Sequence, residues 1–334
     1  MPFRILVVGG GIAGLSAAIA LRAPGKDITI FEQSCLLSEI VAAISLQPNA
    51  SRILRQNWNL DGDLEQANGM IDRGFRIYDT DGTITNTVPL LSKTEYDGDR
   101  IMYHRQDLHE SLKAAAITAG RGSQSAKVRT SSRVVRCDCE AGVITLESGE
   151  DIHADLIVGA DGIHSILRDF VLGQKAKPVP TGLSAYLIYS LVGLVPDEKM
   201  NEDPDSKQSW VSKGDLTKML ETYRGFPRWV KSILFLASEV GLWQLRDMDP
   251  LPTMLPTQGQ GASQAVEDAE ALGAFFGDMS QKPSLEQIKQ GLREVFERRY
   301  SRASLIQRYS REAARPATAK GSKEVKLRAD EFMD

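Results

Sequence analysis

A glycine-rich segment near the N-terminus constrains the fold more than any other feature of this chain. Gly9, Gly11 and Gly14 stand in G-x-G-x-x-G register directly after the apolar run 5–8, and a helical segment at about 12–21 follows. In this register the first glycine allows a tight turn and the second lets the backbone approach a pyrophosphate. The third lets the helix pack closely on the strand. The helix start also offers free N–H groups and its positive dipole end to phosphate oxygens.

A carboxylate stands where a dinucleotide fold needs one. The second apolar run, residues 27–31, ends at Glu32, which lies 18 residues past Gly14. A carboxylate there can accept a hydrogen bond from a ribose 2′-hydroxyl and would repel a 2′-phosphate. Strand, helix, strand and acid together predict a βαβ dinucleotide-binding unit rather than a merely glycine-rich turn.

Composition excludes several classes of function. The chain has 334 residues, 42 % apolar residues and a net charge of −4, so we expect a substantial core and no nucleic-acid partner. No segment resembles a signal peptide or a transmembrane span, and the three cysteines suggest neither disulfides nor zinc. Within the run 134–139, Cys137 and Cys139 are expected to share one strand face as small apolar side chains. A reduced, cytoplasmic compartment and no metal site are therefore predicted, whereas the oligomeric state is not readable.

Local patterns predict further elements. Residues 75–80 and 83–88, joined across Asp81-Gly82, are typical of a β-hairpin. A helix with Asn49 or Ser51 as its cap is expected to follow Pro48. The stretch 284–287 reads as a capping box that opens a long helix.

Three segments after the glycine turn carry a family resemblance. They are His104-Arg105-Gln106-Asp107-Leu108, Gly159-Ala160-Asp161-Gly162-Ile163-His164-Ser165 and Leu255-Pro256-Thr257-Gln258-Gly259-Gln260-Gly261. In this order they resemble the class A FAD-dependent aromatic hydroxylases, particularly the salicylate-hydroxylase-like monooxygenases of fungal aromatic and polyketide metabolism. The resemblance covers most of residues 3–174 and 208–312.

The resemblance implies an α/β fold in two parts. A Rossmann-like FAD-binding domain, a parallel sheet with helices, would be built from residues 1–74, 101–175 and 254–312. A truncated, mixed-sheet substrate side would take residues 75–100 and 176–253, and C-terminal helices would follow. Residues 313–334 are expected to form a polar tail.

The resemblance also implies roles for single residues. Glu32 would hold the adenosine ribose of FAD, and Arg105 would reach the cofactor near its adenosine and ribityl portions. Asp161 and Gly162 would lie by the pyrophosphate, and Ala43 belongs to a stretch whose backbone faces FAD. Two plainer interpretations stay open: Arg105 as a helix-start arginine paired with Asp107, and Asp161-Gly162 as an ordinary turn after a strand.

The segment from Pro256 through Gly259 to Gly261 has its own physical argument. Glycines before a helix let backbone N–H groups approach a ligand, and the helix start carries partial positive charge. Because reduced flavin is anionic at its pyrimidine edge, such a helix start would favour the reduced state. The alternative is a glycine-rich loop before a packing helix. The hydroxylase hypothesis therefore requires this helix to begin in the crevice above the first strand.

The activity implied by the resemblance is aromatic hydroxylation in secondary metabolism. NAD(P)H would reduce FAD, O2 would add at the flavin C4a, and the hydroperoxide would pass one oxygen atom to a phenolic or polyketide-derived ring. The protein would supply positioning, exclusion of water and charge stabilisation. No catalytic side chain can be assigned from the sequence.

Three departures from the family pattern leave other readings open. Family members carry a strand ending in Gly-Asp before the Met-Leu-Pro-Thr segment, but residues 245–253 contain two prolines and three charges and cannot form a buried parallel strand. Leu187 stands where a substrate-facing arginine is usual, and Val41 where glycine is common. Internal deletions would explain this pattern. The alternatives are a non-catalytic remnant, or a flavin oxidase or dehydrogenase without oxygen insertion.

Overall fold

The computed structural model describes most of the chain. The described residues are 1–35, 43–89, 96–118, 124–162, 164–175, 179–188, 191–199, 214–237, 239–247, 261–279 and 281–314. In chain order their strands are β1 Phe3–Val8, β2 Lys26–Phe31, β3 Ala43–Leu46, β4 Met70–Ile71, β5 Gly74–Tyr78, β6 Ile84–Pro89, β7 Ile101–His104, β8 Lys127–Arg129, β9 Val134–Asp138, β10 Val143–Leu146, β11 Asp151–His153, β12 Leu156–Gly159, β13 Val179–Ile188, β14 Leu191–Pro196 and β15 Gly241–Asp247.

The α-helices are numbered in the same way. They are α1 Ile12–Leu21, α2 Pro48–Arg52, α3 Asp61–Glu65, α4 Arg105–Ile117, α5 Ile166–Leu172, α6 Leu216–Thr222, α7 Arg228–Leu234, α8 Gly261–Phe276 and α9 Leu285–Ala314. A π-helical turn over Ile53–Asn57 continues α2, and a 3-10 turn spans Asp197–Lys199.

A parallel sheet in the order β12-β1-β2-β8 forms the centre of the fold. Ile5 and Val7 of β1 point to one face, where they pack in the cluster that contains α1, α4 and α8. Leu6 and Val8 point to the other face and pack against β9, β10 and α5. Because helices or a second sheet cover both faces, β1 is apolar at every one of these positions.

Helix α1 lies between the sheet and helices α4 and α8, so it is buried nearly all round. Its small residues allow close packing: an added Cβ on Gly273 of α8 would lie 3.0 Å from the carbonyl oxygen of Ala20. A larger residue at position 273 would therefore require α1 and α8 to move slightly apart, which explains the glycine at this crossing.

Helix α8 runs in the same direction as α1. At its C-terminal end, the ammonium of Lys26, the first residue of β2, donates hydrogen bonds to the carbonyls of Phe276 and Gly277. At its N-terminal end, the hydroxyl of Ser263 accepts a hydrogen bond of 3.0 Å from the N–H of Gln47. Since strand β2 begins at the opposite edge of the sheet, α8 begins at the carboxyl edge.

A second group of elements forms an antiparallel sheet in the order β14-β13-β15. Helices α6 and α7 join it through a separate apolar cluster that includes Tyr186, Tyr223 and Leu242. The hairpin β5–β6 reaches α7 through Tyr78 and Trp229, whose ring centroids lie 5.0 Å apart. The α/β class with a parallel sheet and helices is confirmed.

Several local predictions are confirmed, and others are wrong. The hairpin pairs as expected, and the capping box at Ser284 and Gln287 makes both of its reciprocal hydrogen bonds, at 2.8 and 3.3 Å. The cap of α2 is wrong: Gln47 precedes the helix without a side-chain cap, and Pro48 opens it because proline has no N–H to satisfy. The Sγ atoms of Cys137 and Cys139 lie 3.7 Å apart, which agrees with the shared face, although Cys137 is buried and Cys139 exposed. Strand β11 was not anticipated.

The segment suspected of lacking a strand is described only in part. Residues 245–247 end β15, which pairs antiparallel with β13, so they do not belong to the central parallel sheet. Residues 248–260, including Pro256 and Gly259, lie outside the described residues, as do Val41 and most of the polar tail. Among the described strands, β12 pairs in the central sheet with β1 alone.

Candidate dinucleotide site

The glycine turn leaves no room for side chains at two positions. Gly9 has a φ of 110°, and a Cβ added there would lie 2.2 Å from the carbonyl oxygen of Ala160. A Cβ on Gly14 would lie 1.9 Å from the carbonyl oxygen of Gly9. Both distances are far shorter than any real Cβ contact, so the tight turn and the close helix–strand packing expected from the sequence are geometric requirements.

Gly11 precedes the first residue of α1. Its backbone is extended, and no side chain caps the helix start. The first N–H groups of an α-helix have no intrahelical partner and need one from elsewhere. An uncapped start at the carboxyl edge of a parallel sheet fits a phosphate group, as the sequence predicts.

Glu32 is held in place by backbone donors and still has capacity to bind. Its two carboxylate oxygens accept hydrogen bonds of 2.8 Å from the N–H groups of Gly10 and Ser34. An ionised carboxylate has about four lone-pair sites. Two sites therefore remain for a ribose hydroxyl, and the side chain is already oriented.

His109 is a residue of this site that sequence reasoning missed. Its Nε2 lies 2.8 Å from the carbonyl oxygen of Gly10, and the side chain is buried. Because a carbonyl can only accept, Nε2 carries the proton, and Nδ1 has no hydrogen-bond partner among the described residues. Gly10 is thus held by His109 on one side and by Glu32 on the other. A single histidine in a helix carries no sequence signal for such a role.

Arg105 and Ala43 lie near this turn. Arg105 begins α4 one helical turn before His109, and residues four apart share a helix face. Ala43 pairs with His104, which directly precedes Arg105. The fold therefore brings both predicted residues to the part of α4 that contacts the glycine turn.

Asp161 supports a helix start. Its carboxylate accepts hydrogen bonds from the hydroxyl of Ser165 at 2.6 Å and from the N–H groups of Ile166 and Leu167 at 2.8 and 3.1 Å. Gly162 follows with a φ of 75°, which favours glycine. The plainer interpretation, a turn after a strand, thus describes what this carboxylate does in the fold. The backbone of residues 160–161 nevertheless adjoins Gly9.

Gly261 is the first residue of α8 and shares the carboxyl edge of the sheet with the start of α1. A buried network fixes this end of α8. Its members bind one another by ion pairs and side-chain hydrogen bonds across α2, α8 and α9, and they are Asn49, Gln264, Glu267, Asp268, Arg299 and Arg302.

Two opposing effects act on the pKa of Asp268 within this network. Burial raises the pKa of the Asp268 carboxyl, and the Arg299 guanidinium at 2.7 Å acts to lower it. Arg299 also pairs with Glu267, which Arg302 approaches at 3.0 Å. Such buried pairs fix geometry more than they add stability, because desolvation offsets most of the attraction.

The described residues contain neither a cluster of metal-binding side chains nor a membrane-spanning helix. Among the described residues, no three histidine, cysteine, aspartate or glutamate side chains cluster closely enough to hold a metal ion. Within the same residues, no helix is both long and apolar enough to cross a bilayer.

Comparison with known proteins agrees with this geometry. The model of the FAD binding domain family matches residues 3–212. Hispidin-3-hydroxylase of Neonothopanus nambi is 28 % identical over an alignment that takes in 81 % of this chain and 80 % of the relative. In fold, the chain is similar to an arginine-to-glutamine variant of HpxO of Klebsiella pneumoniae complexed with FAD, with a TM-score of 0.72, 21 % identity, and 93 % and 89 % of the two chains covered. It is also similar to a salicylate hydroxylase substrate complex, with a TM-score of 0.69, 23 % identity, and 94 % and 88 % covered.

The alignment with the hispidin hydroxylase contains many gaps in this chain. It extends over 342 positions, whereas 81 % of the 334 residues of this chain is 0.81 × 334, or about 270. About 70 positions of the relative, 342 − 270, therefore face gaps in this chain.

Proposed function

We propose, from the premise that this chain belongs to the FAD binding domain family, that it is an FAD-dependent monooxygenase that hydroxylates a small aromatic substrate with NAD(P)H and O2. Its relatives include proteins named as an FAD-dependent monooxygenase, a hispidin-3-hydroxylase and a 6-hydroxynicotinate 3-monooxygenase. One observation carries the proposal: α1 and α8 lie side by side and both begin at the carboxyl edge of the central sheet, the edge at which Glu32 contacts the glycine turn. A helix start pointing away from this crevice would have removed its basis.

The residues present fit the adenosine half of FAD. Glu32 would accept the hydrogen bond of a ribose hydroxyl with its remaining lone pairs, and the N–H groups at the start of α1 would bind the pyrophosphate. Arg105, Ala43 and the backbone at 161–162 are proposed to line the same crevice, as their positions next to the glycine turn allow.

The start of α8 would contribute to the site through its positive helix-dipole end. Bound FAD supplies the redox chemistry and the transfer of one oxygen atom to the aromatic ring. The positive dipole end at Gly261 would favour negative charge close to it, and the network around Glu267 and Arg299 would keep that end in place. Roles for Pro256 and Gly259 remain proposals, since the two residues lie outside the described part of the chain.

The internal-deletion hypothesis concerns how well this chain performs the reaction. The roughly 70 alignment gaps support a loss of internal segments. If a strand that normally contacts FAD is missing, purified protein will hold less than one FAD per chain. The substrate, proposed to be phenolic or polyketide-derived as in secondary metabolism, would then also bind less tightly.

The test combines flavin binding with product analysis. The full chain is purified with excess FAD and dialysed, and the ratio of flavin to protein is measured by absorbance. NADH and NADPH oxidation is then followed with a panel of phenols under ¹⁸O2, and products are identified by mass spectrometry. Glu32→Ala should weaken FAD binding at least tenfold, by about 1.4 kcal/mol or more. The matched variant Glu147→Ala, which removes an exposed carboxylate paired with Arg133, should not.

The possible outcomes separate the readings. A product containing one ¹⁸O atom supports the monooxygenase. Bound flavin with NAD(P)H oxidation that yields only hydrogen peroxide indicates an oxidase or an impaired substrate site. A chain that is folded but binds no FAD, with Glu32→Ala indistinguishable from the parent, refutes the proposal and favours a non-catalytic remnant.

A further inference from the structure

Two cysteines lie together at the end of β9, on the sheet that covers one face of the central sheet. The Sγ atoms of Cys137 and Cys139 are 3.7 Å apart. Cys137 is 6 % exposed, whereas Cys139 is open to solvent. Neither residue has a role in the dinucleotide site.

Local structure explains why these thiols meet. Cys137 pairs with Ile144 in the β9–β10 ladder and points into the cluster shared with α5. Asp138 ends β9, and its carboxylate accepts hydrogen bonds from the N–H groups of Glu140 and Ala141, which turns the chain. Cys139 is the first residue of this turn and lies two positions after Cys137, so both side chains point to the same side of the chain.

We propose that Cys137 and Cys139 form a reversible thiol–disulfide pair that hydrogen peroxide oxidises. The Cys139 thiolate attacks peroxide, the O–O bond breaks, and a sulfenic acid and one water form. The sulfur of Cys137 then attacks the sulfenic sulfur. The S–S bond forms, and the Cys137 proton leaves with the sulfenic oxygen as a second water. The two thiols lose two electrons, which reduce one peroxide to two waters.

The difference in solvent exposure decides which cysteine reacts with peroxide and which attacks the sulfenic acid. Peroxide reaches Cys139 directly, because its side chain is exposed. Burial raises the pKa of Cys137 to about 12, and the neighbouring Cys139 adds to this, so Cys137 stays a thiol at neutral pH. A buried thiol reacts poorly with oxidants by itself but can attack a sulfenic acid held beside it.

The geometry also accounts for reversibility. A disulfide needs an S–S distance of about 2.05 Å, so the sulfurs must close by about 1.7 Å. Closing that gap requires a shift of residue 139, which lies outside the strand ladder, because Cys137 is held by its apolar neighbours. A bond between positions two apart in the chain retains strain, and strained disulfides are readily reduced by thiols.

The experiment uses the full chain with Cys35→Ser, because Cys35 is the third, exposed thiol. Stoichiometric peroxide is added, free thiols are alkylated in denaturant, and the peptide that contains both cysteines is weighed. We expect that peptide to lose about 2 Da and both alkylation sites, and dithiothreitol to restore them. Two variants in the same background separate the roles. Cys137→Ala, chosen because the site is apolar, should stop at a sulfenic acid that dimedone traps, and Cys139→Ser should leave Cys137 unreacted.

Circular dichroism and the thermal midpoint confirm that each variant is folded before its thiols are compared. If the parent gives sulfenic or sulfinic acid at Cys139 without the 2 Da loss, the proposal is overturned. It is likewise overturned if Cys137 oxidises in folded Cys139→Ser. Neither outcome depends on bound FAD, so this test is independent of the proposed enzymatic activity.

Discussion

Because Lys26 is buried between β2 and the end of α8, the pH dependence of stability tests how α8 packs on the central sheet. Its side chain is 1 % exposed and donates hydrogen bonds to the last carbonyls of α8. Burial lowers the pKa of Lys26 from 10.5 to about 8, although the nearby Asp278 acts to raise it. At about 1.4 kcal/mol for a pKa difference of one, the fall from 10.5 to about 8 corresponds to about 3.5 kcal/mol, of which about 3 kcal/mol appears between pH 7.5 and 10.5.

The sign of the effect follows from the order in which the two states release the proton. Below about pH 8, Lys26 is charged in both the folded and the unfolded chain, and the full desolvation penalty opposes folding. Between about pH 8 and 10.5 the folded chain loses the proton first, so its stability rises with pH. Above 10.5 the contribution is constant.

The measurement is a pair of urea titrations at pH 7.5 and 10.5 on the parent and on Lys26→Met. Because other groups titrate in both proteins, the quantity of interest is the difference in unfolding free energy between them. That difference should move by about 3 kcal/mol in favour of the parent as pH rises. Lys127→Met, which removes an exposed lysine paired with Asp27 at 2.7 Å, controls for the loss of a lysine. A parent–variant difference that stays flat with pH, or falls, would refute the burial of Lys26 against α8.

Substitutions at three other positions test the dinucleotide site. Gly14→Ala would place Cβ 1.9 Å from the Gly9 carbonyl oxygen, so we expect FAD binding and the cooperative thermal transition to be lost, as judged by calorimetry and flavin absorbance. His109→Leu removes the donor to Gly10 and should cost about 1–3 kcal/mol in urea unfolding and weaken FAD binding. His109→Gln, which keeps an N–H donor, should recover part of both, and equal behaviour of the two variants would argue against a role for the hydrogen bond. Asp161→Ala should cost about 1–2 kcal/mol, since it removes the acceptor at the start of α5, and an unchanged unfolding midpoint would contradict that role.

Local spacing explains why much of the first 175 residues could be predicted. The position of Gly14 is required by its distance to Gly9 within one βαβ unit, and the reciprocal hydrogen bonds of Ser284 and Gln287 lie within one turn of chain. Such features depend on neighbours a few residues away, so the sequence contains the whole argument. The division of the chain into domains, and the FAD contacts of Arg105 and Asp161, remain predictions.

The same reasoning fails where a partner comes from far along the chain. His109 meets Gly10, and Asn49 meets Glu267, only because helices from distant segments pack on one another. Nothing in the sequence around His109 or Asn49 predicts these contacts.

The sequence by itself determined that a glycine turn, a helix start and a carboxylate would meet at one edge of a parallel sheet, because strand and helix periods fix those positions. Only the tertiary structure decided that α8 begins at the same edge. The direction of that helix depends on contacts with α1 and β2, more than two hundred residues away in the chain. Its last carbonyls accept hydrogen bonds from Lys26 of β2, and its Gly273 packs on Ala20 of α1. Side-chain packing of this kind is a property of shapes in contact, and a one-dimensional pattern does not contain it.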